Sequence, residues 1–248
     1  MKANKVNLFK RRSNRIILLA FSMSSFSVFC QLGGTSAYQF LDLANSSRIQ
    51  GLGGSNISIY DKDVNLTISN PALLDSSQTG SISLNYMNYI GDINYGYSAY
   101  THNIKNIGTF NIGMLYANYG EFTKADETGA KTGAFVANDL AFVIGYGRKI
   151  DSIYSVGANL KFFNSIYDMY SSNGLALDLA ANYHKPSSLF SASILLKNMG
   201  IIFSKYSENS TEKLPFELQA GMSYKLKHAP FRFSFTFDNL QKWDLTYV

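Results

Sequence analysis

Apolar and polar residues alternate along most of the chain after residue 80, and this period of two is typical of β-strands with one apolar face. In the segment 231–238, phenylalanine occupies every second position. In the segment 94–99, Tyr95, Tyr97 and Ala99 form the expected apolar face. The pattern predicts ten strands, beginning near residues 81, 94, 109, 140, 154, 175, 190, 216, 231 and 243. The predicted fold is therefore all-β and antiparallel.

The predicted strands are long for a soluble protein. Runs of about 9–12 residues match a tilted strand that crosses a bilayer, whereas strands of soluble proteins average about 5–6 residues. The face opposite the apolar one carries mainly glycine, serine, asparagine and isolated charges. We therefore expect a transmembrane β-barrel whose apolar face contacts outer-membrane lipid. A soluble β-sandwich is the alternative.

The connections between the predicted strands alternate in length. Long polar segments are expected at 119–137, 164–173 and 198–214, and short connections at 102–106, 148–152, 184–188 and 227–230. Barrels of the outer membrane combine long extracellular loops with short periplasmic turns. The first long segment is the candidate extracellular docking loop, with the candidate residues Tyr119, Gly120, Glu121, Phe122, Asp126 and Glu127.

The positive charge of the chain is concentrated at its start. The whole sequence has 22 Lys and Arg against 17 Asp and Glu, a net charge of +5. Six of the basic residues precede position 16, and the apolar run 16–29 follows them. This arrangement predicts a secretory signal peptide over residues 1–30, with a lipoprotein site at Cys30 as the alternative. Without residues 1–30 the net charge is −1, which removes the argument for a nucleic-acid partner.

The segment 31–80 lacks a regular alternation and is rich in turn residues. We expect it to fold into the barrel as a plug, and a flexible periplasmic tail is the alternative. Residues 81–248 are the predicted barrel. Because the strand that starts at Trp243 has only six residues before Val248, the barrel is expected to be incomplete at its C-terminal end.

Isolated charges on the polar face are candidate lumenal residues. They could hold the plug or line a path, or they could form cross-strand ion pairs that stabilise a narrow interior. The candidates are Lys161, Asp178, Lys197, Glu217, Lys225, Arg232 and Asp238.

Short motifs of catalysis or metal binding occur, but in the wrong context. A Ser-x-x-Lys at 210–213 and a Lys-Thr-Gly at 131–133 stand in the reverse of the order found in acyl-serine enzymes, without helical flanks. The segment 61–65 (DKDVN) resembles the start of a calcium loop, but Leu66 occupies the glycine position. His102, His184 and His228 fall in different predicted turns. We predict no enzyme activity, no metal and no cofactor.

Several segments resemble a known family. The segments 38–43 (YQFLDL), 47–54 (SRIQGLGG), 63–65 (DVN) and 70–74 (NPALL) resemble the start of the PorV/PorQ group of outer-membrane proteins in the Bacteroidetes type IX secretion system. Matches more specific to the PorQ proteins of that group are 119–122 (YGEF), 157–161 (GANLK), 196–200 (LKNMG), 214–216 (LPF), 223–232 (SYKLKHAPFR) and 238–244 (DNLQKWD).

The resemblance implies a FadL-like barrel of about fourteen strands with an N-terminal plug. Its implied plug motif consists of Arg48, Gly53, Gly54, Asn70, Pro71 and Ala72. The implied role is a non-catalytic component that anchors the surface attachment complex for secreted cargo, with a PorZ-like surface protein as partner and PorU and PorV as further candidates. A FadL-like transporter of hydrophobic solutes is the alternative.

Overall fold

Nine antiparallel strands form one sheet in which each strand pairs with the next along the chain. A computed structural model describes residues 36–89, 91–208 and 210–242. The predicted signal peptide and the tenth strand from Trp243 lie outside these ranges. The strands are β1 (Ile82–Asn88), β2 (Asn94–Ile104), β3 (Gly108–Ala125), β4 (Lys131–Lys149), β5 (Tyr154–Tyr167), β6 (Tyr170–His184), β7 (Phe190–Ser204), β8 (Glu217–Lys225) and β9 (Arg232–Phe237). The all-β, antiparallel prediction is confirmed, and β1 and β9 are the sheet edges in the described part of the chain.

Short helical turns precede the sheet. Helix α1 (Ser47–Gly51) begins where the Ser46 hydroxyl accepts a hydrogen bond from the Ile49 amide, and α2 (Asn65–Ser69) follows. Three 3₁₀ turns occupy Gln39–Asp42, Pro71–Leu73 and Ser76–Gln78. With at most five residues each, the helices of the described chain are all too short to span a bilayer.

The strands extend well into the segments that the sequence predicts as long loops. β3 and β4 remain paired from Glu121–Val136 to Ala125–Lys131, so Tyr119, Gly120, Glu121 and Phe122 lie on β3 rather than in a loop. β5 and β6 are joined by a turn at residues 168–169. The loop prediction is therefore wrong for 119–137 and 164–173 outside the short connections 126–130 and 168–169. It is also wrong for 198–204, which belongs to β7. Antiparallel strands pair through backbone hydrogen bonds, which do not depend on alternating apolar side chains. The strands therefore continue into polar segments where the apolar alternation has ended.

The N-terminal segment 36–80 packs against one face of the sheet, which we call the covered face. This face is small and polar, and its residues include Ser83, Asn111, Gly147, Ser155, Gly157, Asn159, Gly221 and Ser223. The opposite, exposed face presents large apolar side chains, among them Ile82, Leu84, Ile112, Phe142, Ile144, Phe162, Ile194, Phe233 and Phe235. The predicted separation of the two faces holds for eight of the nine strands.

Strand β2 is the exception. Tyr95, Tyr97 and Ala99 point to the covered face and are 1%, 2% and 5% exposed, so the predicted orientation of this strand is wrong. They pack in a cluster with Phe40 and Leu115. The reason is that the N-terminal segment is itself apolar at this point, and β2 supplies the aromatic side chains that cover it.

Candidate functional site

The candidate functional site is the contact between the N-terminal segment and the covered face. At its centre is the turn at Asn70, Pro71 and Ala72. The Asn70 side chain is buried, donates through Nδ2 to the Ile57 carbonyl oxygen at 2.6 Å, and accepts from the Ala72 amide at 2.9 Å. It thereby joins two parts of the N-terminal segment and caps the 3₁₀ turn that starts at Pro71.

Two glycines on neighbouring strands make room for this turn. Gly147 of β4 and Gly157 of β5 stand opposite each other in the sheet. A Cβ atom on Gly157 would lie 2.4 Å from the Pro71 carbonyl oxygen, and one on Gly147 would lie 2.7 Å from the same atom. Any side chain at these positions would displace the turn, because real Cβ contacts of this length are essentially absent. The Ser155 hydroxyl donates to the Ala72 carbonyl oxygen at 2.7 Å and so also binds this turn to the sheet.

The remaining motif residues shape the end of α1. Gly53 and Gly54 have φ of +97° and +85°, which L side chains rarely adopt, and their amides bond to carbonyl oxygens of the helix. Arg48 donates to Asp61 at 2.5 Å and to Asp63 at 2.6 Å. Hydrogen bonding to Asp61 is the main reason that the pKa of Arg48 is raised. The carboxylates of the calcium-like segment 61–65 thus bind a guanidinium group.

A buried ion pair lies deeper on the covered face. Lys161 of β5 and Asp178 of β6 are 1% and 0% exposed, and Nζ lies 2.7 Å from Oδ2. Asn198 of β7 has φ of +54° at a bulge opposite Asp178, accepts from Lys161 Nζ at 2.9 Å, and donates its amide N–H to Asp178 Oδ1 at 2.8 Å. Both charged groups of this pair therefore have hydrogen-bond partners within the sheet, as burial of charge requires.

The same network reaches the N-terminal segment through Asp42. Lys197 Nζ lies 2.8 Å from Asp42 Oδ1, and Asn198 Nδ2 donates to the same oxygen at 2.7 Å. Glu217, which stands opposite Lys197 in the register, accepts instead from Gln219 and from the Asn239 amide. The two hypotheses for the candidate lumenal charges, cross-strand ion pairs and binding of the N-terminal segment, thus apply to different residues. Lys161 and Asp178 pair across strands, whereas Lys197 binds the N-terminal segment.

The other three candidate charges are not brought into this network. Lys225 and Arg232 stand opposite each other on β8 and β9 and are exposed. Arg232 approaches Asp61 at 3.8 Å. Asp238 follows the end of β9 and is also exposed. Arg232 is thus a further candidate charge that contacts the N-terminal segment.

A cavity of about 510 Å³ opens where the short connections meet the N-terminal segment. Tyr60 and His184 stack in its wall with ring centroids 4.3 Å apart, and Asp75 accepts hydrogen bonds from Tyr60 and Lys149. Burial by itself would raise the pKa of Asp75, but the bonds from Lys149, Tyr60 and the Ser77 amide outweigh it. The pKa of this carboxyl is therefore held well below its usual range.

A cluster of hydroxyl groups around Asp139 was not predicted from the sequence. Asp139 is 1% exposed and accepts from Tyr119 Oη at 2.5 Å, from Tyr167 and from Ser165. Tyr206, in the β7–β8 connection, donates to Ser165 at 2.5 Å. The only sequence signal was the tyrosine enrichment at strand ends. The hydroxyl of Tyr119, one of the candidate docking residues, thus binds Asp139.

The tip of the β3–β4 hairpin carries the rest of the predicted docking residues. Phe122 stacks on Phe135 with centroids 5.2 Å apart and remains 42% exposed. Asp126 accepts from the amides of residues 128 and 130 and so closes the turn, next to the exposed Glu127. Hydrogen bonds to Thr128 are the largest reason that the pKa of Asp126 is lowered.

The short motifs fall in separate places. The Lys-Thr-Gly at 131–133 begins β4, and Ser210, in the β7–β8 connection, donates to Glu212 at 2.5 Å.

Comparison with models of known protein families and with curated proteins finds no match for this chain.

Proposed function

We propose that this protein is an outer-membrane β-barrel component of a type IX secretion system that docks the surface attachment complex, without catalysis. The observation that carries the membrane placement is the inverted polarity of the sheet. The face with the large apolar side chains is exposed, whereas the face with serine, asparagine and glycine is packed. In water such a sheet would leave a large apolar surface uncovered, which a bilayer would cover.

The filled interior favours an anchoring role over a transporter of hydrophobic solutes. Transport requires an apolar path, but the described covered face is occupied by the segment 36–80 and its buried ion pair. The segment that packs there also carries the motif residues that resemble the PorV/PorQ group. This resemblance is the support for the secretion-system role.

The acidic end of the sheet is the proposed docking surface. We define it by the connections 89–93, 126–130, 168–169 and 205–216. Each of them includes at least one acidic residue, namely Asp92, Asp126, Glu127, Asp168, Glu208 and Glu212. A partner with a basic surface fits this end, because complementary charge steers association and selects partners.

Membrane placement is tested by fractionation and by gel mobility. We expect the full chain in the outer-membrane fraction, resistant to urea extraction, with a mobility that shifts on heating. A protein that is recovered in the soluble fraction and shows no heat-dependent shift would overturn the barrel.

Docking is tested in a deletion strain complemented with tagged protein. Asp126→Asn combined with Glu127→Gln is expected to reduce recovery of the surface partner several-fold while the barrel stays folded. Asp151→Asn is the matched control, because Asp151 closes a turn at the opposite end by accepting from the Ile153 and Tyr154 amides. Normal cargo attachment in the deletion strain, together with impaired uptake of hydrophobic solutes, would contradict docking and support transport.

A further inference from the structure

The two ends of the sheet differ in charge. The connections 105–107, 150–153, 185–189 and 226–231 define the basic end. The connections 105–107, 185–189 and 226–231 each include one exposed lysine, respectively Lys105, Lys185 and Lys227, and the exposed Arg148 lies two residues before the connection 150–153. Asp151 is the one acidic residue in these four connections, and its carboxylate caps its own turn.

These four basic side chains are not used by the fold. None of them forms an ion pair with another described residue. Lys149, which lies between Arg148 and the turn, is different, because it binds Asp75 of the N-terminal segment. Their charge is therefore available to a ligand.

Two of the basic residues continue the exposed face of the sheet. Arg148 follows Tyr146 at a spacing of two on β4, and Lys185 follows Tyr183 at the same spacing at the end of β6. Alternate residues of a strand lie on one face, so each basic residue lies directly beyond a tyrosine on the apolar surface. Tyrosines at the level of lipid headgroups, with long basic side chains beyond them, are typical of a membrane interface.

Exposed apolar residues accompany the basic ones on every connection. Ile107 is 50% exposed beside Lys105, and Ile150 is 64% exposed beside Arg148. Leu189 and Phe231 are the exposed apolar residues of the two other connections, four positions after Lys185 and Lys227. The pattern repeats around the rim instead of forming one patch, which fits a continuous layer of ligand better than a single protein partner.

We propose that Lys105, Arg148, Lys185 and Lys227 form a basic ring that binds the phosphate groups of anionic phospholipids in the adjacent leaflet. This inference rests on the membrane placement proposed above. The ring fixes the depth and orientation of the barrel, because each cation pairs with a headgroup while the neighbouring apolar residue enters the acyl region. The acidic end, by the same reasoning, avoids an anionic surface.

The test measures the lipids in direct contact with the folded protein. The full chain is refolded into phosphatidylcholine vesicles, and spin-labelled phosphatidylglycerol and phosphatidylcholine report their relative association by electron paramagnetic resonance. We expect about fivefold preference for phosphatidylglycerol. One Lys or Arg near an anionic surface contributes about 1 kcal/mol, and this free energy corresponds to about a fivefold difference in association. The preference should fall as salt is added.

Variants assign the preference to the ring. Lys105→Gln, Arg148→Gln, Lys185→Gln and Lys227→Gln together should abolish it. The control removes four basic residues at the other end, by Lys131→Gln, Lys205→Gln, Lys213→Gln and Lys242→Gln, and should keep it. If the ring variant does not fold, the salt dependence of the unmodified protein decides.

The outcomes separate the two proposals. A restricted lipid signal with equal affinity for both lipids would overturn the ring and leave the barrel intact. A lack of any restricted signal would overturn the membrane placement and the ring together. Competition by inorganic phosphate at constant ionic strength would identify a site for free phosphate and overturn binding of the lipid headgroup.

Discussion

Gly157 of β5 lies against Pro71 of the N-terminal segment so closely that no side chain fits between them. A Cβ on Gly157 would stand 2.3 Å from the Pro71 carbonyl carbon and 2.5 Å from the Ala72 nitrogen. The contact is between two backbones, so neither partner can yield by rotating a side chain. This relationship fixes where the segment meets the sheet.

Gly157→Ala should therefore destabilise the folded protein. We expect a loss of about 1–3 kcal/mol in the free energy of unfolding, because the Asn70–Ala72 turn must move. Unfolding of the refolded protein in urea measures it. Gly96→Ala is the control, since its nearest atom would be 3.8 Å away, and it should change the free energy by less than about 0.5 kcal/mol. An equal loss of unfolding free energy in both variants would contradict the close contact between Gly157 and the Asn70–Ala72 turn.

Removal of one partner of the buried Lys161–Asp178 pair should be costly. Lys161→Met leaves the Asp178 carboxylate buried without its cation, and we expect about 3–5 kcal/mol of destabilisation. The double change Lys161→Met with Asp178→Leu should recover part of it, since no buried charge then remains. Lys124→Met, which breaks the half-buried pair with Asp168, should cost less than about 1 kcal/mol. A similar cost for both single changes would show that the first pair is not desolvated.

Stability should fall in acid through Asp75. The pKa of this carboxyl is lowered in the folded state, so its contribution is complete above the ordinary value of about 3.9 and is lost as pH falls below it. Urea unfolding at neutral pH and at about pH 3 measures the difference in the free energy of unfolding. Asp75→Asn should make the dependence shallower, as should Lys149→Met. An unchanged dependence in both variants would assign acid sensitivity to other carboxylates.

A charge on the exposed face distinguishes bilayer from water. Ile144 is 54% exposed on β4, and Ile144→Arg should cost about 2–4 kcal/mol in vesicles if this face contacts lipid. On a face in water the same change would cost less than about 0.5 kcal/mol. Thr132→Arg, at the hairpin tip beyond the apolar band, is the control and should be nearly neutral. Equal and small effects would contradict lipid contact.

The sequence predicted many of the residues of the candidate site but not the contacts between them. The sequence indicated polar, small residues on one face, and Lys161 and Asp178 lie there as a pair. The partner of Lys197 could not be predicted, because Asp42 lies in a segment without periodicity and is more than 150 residues away. Asn198, which joins both pairs, acts through a bulge and a left-handed backbone that no local pattern indicated.

The sequence by itself determined which residues share a face of each strand, because successive side chains of a strand must alternate. It could not determine which face is covered, and β2 shows why. Tyr95 and Tyr97 look like a lipid-facing pair, but they cover apolar residues of the N-terminal segment. The tertiary structure decided this, because burial depends on what packs against a strand. It also decided that a glycine pair on two strands receives the Asn70–Ala72 turn, since such a contact exists only once the chain has folded back on itself.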